Sequence, residues 1–219
     1  MIDANATLRR ADLDDVDALL EIKRALPLAG AEGRGGFLLG ASAEGYRQQI
    51  VVGEVWVLEL DGRPVGFATA LPDPVLRASP LWQRQAAIAW GEGFDAAAII
   101  DEPIAYLDQI AVLPGALPRL YGGALGLRVF ASLFAGGHRH ALTTTVAAPV
   151  INRAAHAFLA RVGGVAIGAP DEVYPEVGPI TSTIHHVSAD AFAARVAAAR
   201  ERPTPALRRI LELGLAGVA

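Results

Sequence analysis

The stretch Tyr106-Leu-Asp-Gln-Ile-Ala-Val-Leu-Pro114, followed by a loop and then by Arg119-Leu-Tyr-Gly-Gly-Ala-Leu-Gly126, decides how this chain is read. Its first part, Ile104–Val112, is rich in β-branched and aromatic residues and predicts a strand. Leu113–Arg119 carries Pro and Gly and predicts a loop, and the pattern from about Tyr121 to Ala135 predicts a helix. A strand that runs through a glycine-rich turn into a helix leaves several backbone N–H groups unpaired, with the positive end of the helix dipole behind them. Such a turn suits an anion. Gly122 and Gly123 let backbone approach a phosphate without a β-carbon in the way, and Ala124 is small enough to do nearly the same.

Upstream, Ala6–Arg10 predicts a strand. Asp12 caps a helix whose Leu13, Val16, Leu20 and Lys23 fall at helical spacing, with Leu19 and Ile22 widening the stripe. Pro27–Gly40 is glycine-rich and suited to a loop that closes over something. Ser42 caps a second helix carrying Tyr46 and Ile50. Val55–Leu60 and Pro64–Leu71 flank Asp61-Gly62, the pair favoured in a tight hairpin turn. Pro72–Pro103 reads as an insertion, with Leu81–Trp90 a candidate helix. Downstream, Ala141–Val146 predicts a strand, Val150–Val162 a helix, and Val165–Ala169 and Thr181–Val187 two strands. Terminal helices at Ser188–Arg200 and Pro205–Leu215 are split by proline. This alternation implies a mixed sheet covered by helices on both faces, with a ligand where a central strand meets a helix N-terminus.

The 219 residues suffice for one sizeable domain, and 53% hydrophobic against 19% charged residues is an ordinary globular balance. No apolar run approaches ~20 residues, so no membrane span is expected. The start lacks the blocks of a secretion signal, which makes the cytoplasm the expected compartment. Without cysteine, disulfides, thiolate zinc sites and cysteine nucleophiles drop out. A formal net charge of −4 argues against a nucleic-acid partner.

Arg119-x-x-Gly122-x-Ala124 resembles the Gln/Arg-x-x-Gly-x-Gly/Ala signature that grips the coenzyme A pyrophosphate in the GNAT (Gcn5-related N-acetyltransferase) superfamily. It follows a strand ending Ile-Ala-Val-x-Pro, as in those proteins. Asn152-Arg-Ala-Ala155-His-Ala-Phe158-Leu159 through Gly163 looks like that family's Asn-x-x-Ala-x-x-Leu-Tyr-x-x-x-Gly helix, and the hairpin ending Val65-Gly66-Phe67 resembles the corresponding hairpin. The matches reach from about Thr7 to Gly168. The resemblance implies an α/β (α+β) fold with a mixed, mostly antiparallel central sheet. It implies a GNAT-like acyl-CoA-binding domain over residues 1–188 and leaves 189–219 as a helical extension. It further implies acetyl-CoA or a related acyl-CoA as co-substrate and an amine acceptor. The cofactor-binding residues would be Ile110, Ala111, Val112, Arg119, Leu120, Tyr121, Gly122, Gly123, Ala124, Asn152 and Phe158. Two departures stand out: the loop before Arg119 is about two residues longer than usual, with Leu120 in place of a common glycine, and Leu159 occupies the position of the family's proton-donating tyrosine.

The implied reaction is direct acyl transfer from the thioester to an amine, with backbone N–H of Ile110 or Val112 stabilising the carbonyl's developing charge. Asp108 is the first candidate base, since on an alternating strand it shares a face with Tyr106, Ile110 and Val112; Glu102 is a weaker one. Tyr121 and Tyr106 are candidate acids, with packing as the competing role. Neither His138-x-His140 nor His185-His186 has an acidic or histidine partner at metal-ligand spacing, and adjacent strand residues point to opposite faces, so His185 and His186 do not readily share an ion. Acceptor choice is assigned to Pro27–Gly40, Pro72–Pro103 and Tyr174–Ile180. Phe192, Val196, Leu207, Ile210, Leu211 and Leu213 need burial, on the domain or against a second copy, so a homodimer is a reasonable expectation. Leu159 keeps a non-catalytic acyl-CoA-binding regulatory module as the alternative; a nucleotide-binding domain lacks its motifs.

Overall fold

The chain starts as β1 (Ala6–Arg10), which pairs antiparallel with the next strand in sequence and leads into an ion-paired, capped turn. Asp12 and Asp15 form a reciprocal capping box over the 3-10 turn Leu13–Asp15, and both guanidinium nitrogens of Arg9 lie 2.7 Å from the Asp15 carboxylate. The computed structural model describes residues 5–31, 36–83, 88–174 and 177–218. In chain order the next elements are α1 (Val16–Arg24), α2 (Ala43–Val52), β2 (Glu54–Leu60) and β3 (Arg63–Leu71). The insertion holds α3 (Asp73–Ala78), α4 (Pro80–Gln83), β4 (Ala89–Trp90) and α5 (Ala97–Ile100). Then come β5 (Ile104–Val112), α6 (Pro118–Ala135), β6 (His140–Ala148), α7 (Arg153–Arg161), β7 (Val165–Ala169), β8 (Asp171–Tyr174), β9 (Gly178–Ser188), α8 (Ala189–Glu201) and α9 (Pro205–Leu215).

The strands form one sheet in the order β1-β2-β3-β5-β6-β9-β7-β4, with β8 also paired to β9. Only β5 and β6 run parallel; the other pairs are antiparallel, so the sheet is mixed and mostly antiparallel as expected. Asp61 (φ 51°) and Gly62 (φ 74°) make the primed turn that joins β2 to β3. On one face, Ala68, Ala70, Ala105, Leu107 and Ala141 pack beneath α6, whose Leu125, Val129, Phe130 and Leu133 are buried; Leu159, Phe192 and Leu211 bring in α7, α8 and α9. Each such Leu or Phe contributes roughly 1.5–3 kcal/mol by leaving water. On the other face Val55, Val57, Phe67 and Ala111 meet Val16, Leu19 and Ile22 of α1 and Tyr46 of α2. Farther along that sheet, Ile104, Tyr106, Leu142 and Ile184 are covered by Leu76, Trp82, Trp90 and Phe94 of the insertion.

Several boundaries differ from the sequence reading. Leu13 is exposed, because the 3-10 turn rotates it out of the α1 stripe. Within Leu81–Trp90 there is no single helix: α4 ends at Gln83, residues 84–87 lie outside the described residues, and Ala89–Trp90 pairs with Ala169 and Gly168 as an edge strand. α6 begins one turn early, with Pro118 at its first position, where a missing N–H costs nothing. The helix expected from Val150 starts instead at Arg153, and β8 was read as connection because Asp-Glu-Val-Tyr has no continuous apolar face. The apolar residues of α8 and α9 meet the core of their own chain.

Candidate active site

β5 and β6 are paired only at Ile104–His140, Ala105–Ala141 and Tyr106–Leu142. Beyond that point they part: β5 stays on β3 as far as Val112, and β6 stays on β9 as far as Ala148. The fork has a local cause. Thr69 pairs with Gln109 and Ala70 with Leu107, so Asp108 is an extra residue, a β-bulge that bends and twists β5 away from its neighbour.

The bulge also shifts the phase of the strand, and this corrects the expected face-sharing. Before it, Tyr106 packs with Ile104 and Leu142; after it, Ile110 and Val112 join the core beneath α6, while Ala111 joins Phe67 on the α1–α2 side. Asp108 therefore does not share a face with Ile110 and Val112. The Leu113 N–H donates to Val65 O of β3 at 2.8 Å. By alternation the Ala111 peptide also turns to β3, and the N–H groups of Ile110 and Val112 turn into the fork.

At the fork's mouth α6 starts from Leu117, whose φ of +50° is unusual for a branched side chain. No side chain caps this start and no acidic residue occupies its first turn; Pro118 has no N–H, and the N–H groups of Leu120 and Tyr121 donate to Leu117 O at 3.0 and 3.2 Å, so what the start offers an anion is chiefly the positive end of the helix dipole. A β-carbon on Gly122 would lie 4.0 Å from Ile110 and Val112 Cγ2, and one on Gly123 would lie 3.6 Å from Ile210 of α9. Their bare faces thus seat α6 against β5 and α9. Ala124 is buried under α9, Leu120 is half-buried on the core, and the Arg119 side chain lies outside the described part of the structure. Tyr121 is wholly buried in the apolar cluster with Val112 and Leu125, so its phenol is inside the core rather than at the mouth.

Asp108 directs its carboxyl towards α2. Its Oδ2 accepts from Gln49 Nε2 and Gln109 Nε2, each at 2.8 Å, and from Thr69 Oγ1 at 3.4 Å. Burial pushes this carboxyl above the usual range, against the three donors that pull it down. Tyr46 fixes the Gln109 amide by donating its hydroxyl to Oε1 at 3.0 Å. Glu102 stands at the opposite end of β5, beside Arg139 and His140, about 20 Å from Asp108 along an extended strand, and takes no part in the fork.

The α7 arm is set by Asn152, whose N–H donates to Val146 O at 3.0 Å. A β-carbon on Gly36 would lie 3.5 Å from Asn152 Oδ1, so Gly36 stands beside the start of α7; residues 32–35 of the glycine-rich segment lie outside the described residues. Phe158 lies over Gly126 and stacks 6.1 Å from Phe130, a packing position on α6. Leu159 is buried and carries no proton. The histidines do divide between faces: His186 meets His140 Nδ1 at 2.9 Å, whereas His185 meets Thr145 at 3.0 Å, and His156 of α7 meets the same hydroxyl at 3.2 Å. The sequence reading missed both pairings, since each joins residues far apart in the chain. Among the described residues, no group of three or more His, Asp or Glu could hold a metal ion.

No protein-family profile matches the chain, and no curated protein matches it by sequence. Its fold is that of the GNAT N-acetyltransferases. The ribosomal-protein-S18-alanine N-acetyltransferase of Escherichia coli superposes with a TM-score of 0.57 at 17% identity, covering 84% of this chain and 93% of that one. The polyamine N-acetyltransferase of Drosophila melanogaster gives 0.57 at 15% identity, covering 84% and 99%. The putative acetyltransferase yncA of Salmonella typhimurium, solved with acetyl-CoA, gives 0.54 at 16%, covering 92% and 98%.

Proposed function

We propose that this chain transfers an acyl group, acetyl first among the candidates, from acyl-CoA to an amine. The observation that carries the reading is the fork: two arms of unpaired strand edge beside an uncapped helix start, on a fold shared with N-acetyltransferases. The residues present suit an acyl-CoA. The start of α6 offers the positive end of its dipole to negative phosphate oxygens, and the free edges of β5 and β6 offer peptide groups to an extended amide-bearing arm.

When bound, acyl-CoA would supply an activated thioester; the chain's own groups do the rest. Ile110 and Val112 would aim N–H donors into the fork, where negative charge develops on a carbonyl oxygen. Asp108 would take the proton that the amine must lose, and burial makes it a stronger base than an ordinary aspartate. Gln49, Gln109 and Thr69 would hold its carboxyl in place. Two of the neighbouring structures named above are N-acetyltransferases by their own descriptions, which supports an amine here. Residues 1–188 would be the acyl-CoA-binding unit with the insertion at about 72–103, and 189–219 an extension whose α9 seats α6 at Gly123.

A second reading, acyl-CoA binding without turnover, is favoured by one observation, the buried Leu159. Among the described residues no helix is long and apolar enough to cross a membrane; a cytoplasmic setting, without membrane or nucleic acid as partner, is part of the proposal. A homodimer is retained as a proposal for light scattering, although the apolar residues of α8 and α9 that motivated it are covered within the chain.

Calorimetric titration with acetyl-CoA and CoA, followed by thiol-release assays over a panel of amines, tests the proposal. Binding with amine-dependent thiol release is the expected result. Binding without release from any amine favours the second reading, and no binding to any acyl-CoA removes both.

A further inference from the structure

Thr145 lies on the part of β6 that has left β5, and its hydroxyl is shared by two imidazoles. His185 Nε2 of β9 is 3.0 Å away, His156 Nε2 of α7 is 3.2 Å away, and the two rings meet edge to face with centroids 5.3 Å apart. A hydroxyl donates one hydrogen and accepts another, so one ring accepts from Thr145 while the other donates to it. Burial, and then the nearby His156, hold His185 down at about 4, so it is neutral at ordinary pH. A protonated His156 has no ring lone pair and can only donate, so in that state the Thr145 oxygen accepts Nε2–H from His156 and the Thr145 hydrogen goes to His185 Nε2. With Nε2 so engaged, the Nδ1 of His156 is directed away from Thr145.

Thr145 and His185 are buried, whereas His156 is half-buried, so His156 is the end of the chain of hydrogen bonds that can meet a ligand. On α7 it follows Asn152 by four residues and precedes Leu159 by three, which places all three on one helix face. Of these, only His156 carries a proton-transferring group.

We propose that His156 is the proton donor to the departing sulfur, and that Thr145 and His185 position its ring; the inference rests on the acyl transfer proposed above. As the amine nitrogen bonds to the acyl carbon, the carbon–sulfur bond breaks and its electron pair stays on sulfur. The amine proton passes to the Asp108 carboxylate. The Nδ1 proton of the His156 imidazolium passes to sulfur, leaving a neutral imidazole and a free thiol.

The test is an NMR titration of the His156 ring, assigned with a His156→Gln variant, in the complexes with CoA and with desulfo-CoA. A thiolate beside an imidazolium raises the imidazole midpoint, so the midpoint with CoA should exceed that with desulfo-CoA by about one pH unit. In Thr145→Val the difference should shrink, and His156→Gln should lower kcat about 100-fold while KM for acyl-CoA moves less than about 3-fold. Equal midpoints in the two complexes would overturn the assignment while leaving acyl-CoA binding intact. Failure of both ligands to bind would overturn it together with the transferase reading.

Discussion

The hydroxyls of Tyr106 and Thr144 lie 2.6 Å apart across the fork, just past the last backbone pair of β5 and β6. Side chains thus fasten the vertex where the ladder stops. Tyr106→Phe removes that bond and strands the Thr144 hydroxyl, so unfolding in urea at neutral pH should show a loss of about 1 kcal/mol. Burial, then Asp108, pushes the Tyr106 phenol above its ordinary value. A group whose folded value is raised loses stability as pH climbs past its unfolded value of 10, so the wild type should weaken above pH 10 more steeply than the variant.

Leu117 provides a way to alter the mouth without touching the core, since it is half exposed and its side chain makes no cap. Aspartate tolerates the left-handed backbone better than leucine and places a negative charge at the positive end of the helix dipole. Leu117→Asp should therefore hold or raise the thermal midpoint while reducing CoA affinity about tenfold or more by calorimetry. An unchanged affinity would locate the anion elsewhere.

Asp108→Asn separates activity from stability. The folded carboxyl sits above its unfolded value, so ionising it costs stability as pH rises through that window, and at neutral pH the amide escapes the cost. Urea midpoints at pH 7 should be unchanged or higher in the variant. Turnover should fall about 100-fold, and the rising limb of the wild-type pH–rate profile should stand above the ordinary aspartate range.

Acid should destabilise the fold through two neighbouring histidines on opposite faces. Burial, then His156 for His185 and His140 for His186, holds each at about 4 against 6.5 unfolded. The unfolded chain binds more protons between these values, so stability is complete above pH 6.5 and falls as pH drops towards 4, by about 1.4 kcal/mol per pH unit for each group. Replacing His186 by Gln should roughly halve that slope in denaturation series between pH 6.5 and 4.

The regular elements were legible because their signals are local. Asp61-Gly62 turns β2 into β3, Ser42 caps α2, and the apolar spacing marks α6. The strand and helix that flank the fork were legible for the same reason. The bulge at Asp108 was not, since nothing in Leu-Asp-Gln-Ile announces an extra residue; it exists only as a mismatch with β3, and it reversed the face assigned to Ile110 and Val112. The packing of Gly123 was not legible, because Ile210, which faces it, lies far along the chain. The Thr145 cluster draws on β6, α7 and β9, and no single spacing records it.

The position of β9 between β6 and β7 also dictates an order of assembly. A ribosome delivers β6 and β7 first, yet neither touches the other; β7, with β4 on its far side, has no seat until residues 178–188 emerge. Until then the nascent chain carries β6 with one edge open to the fork and the other awaiting its partner. Translation stalled before Gly178 would release a half-sheet with unsatisfied borders, the kind of species that chaperones retain and that otherwise aggregates.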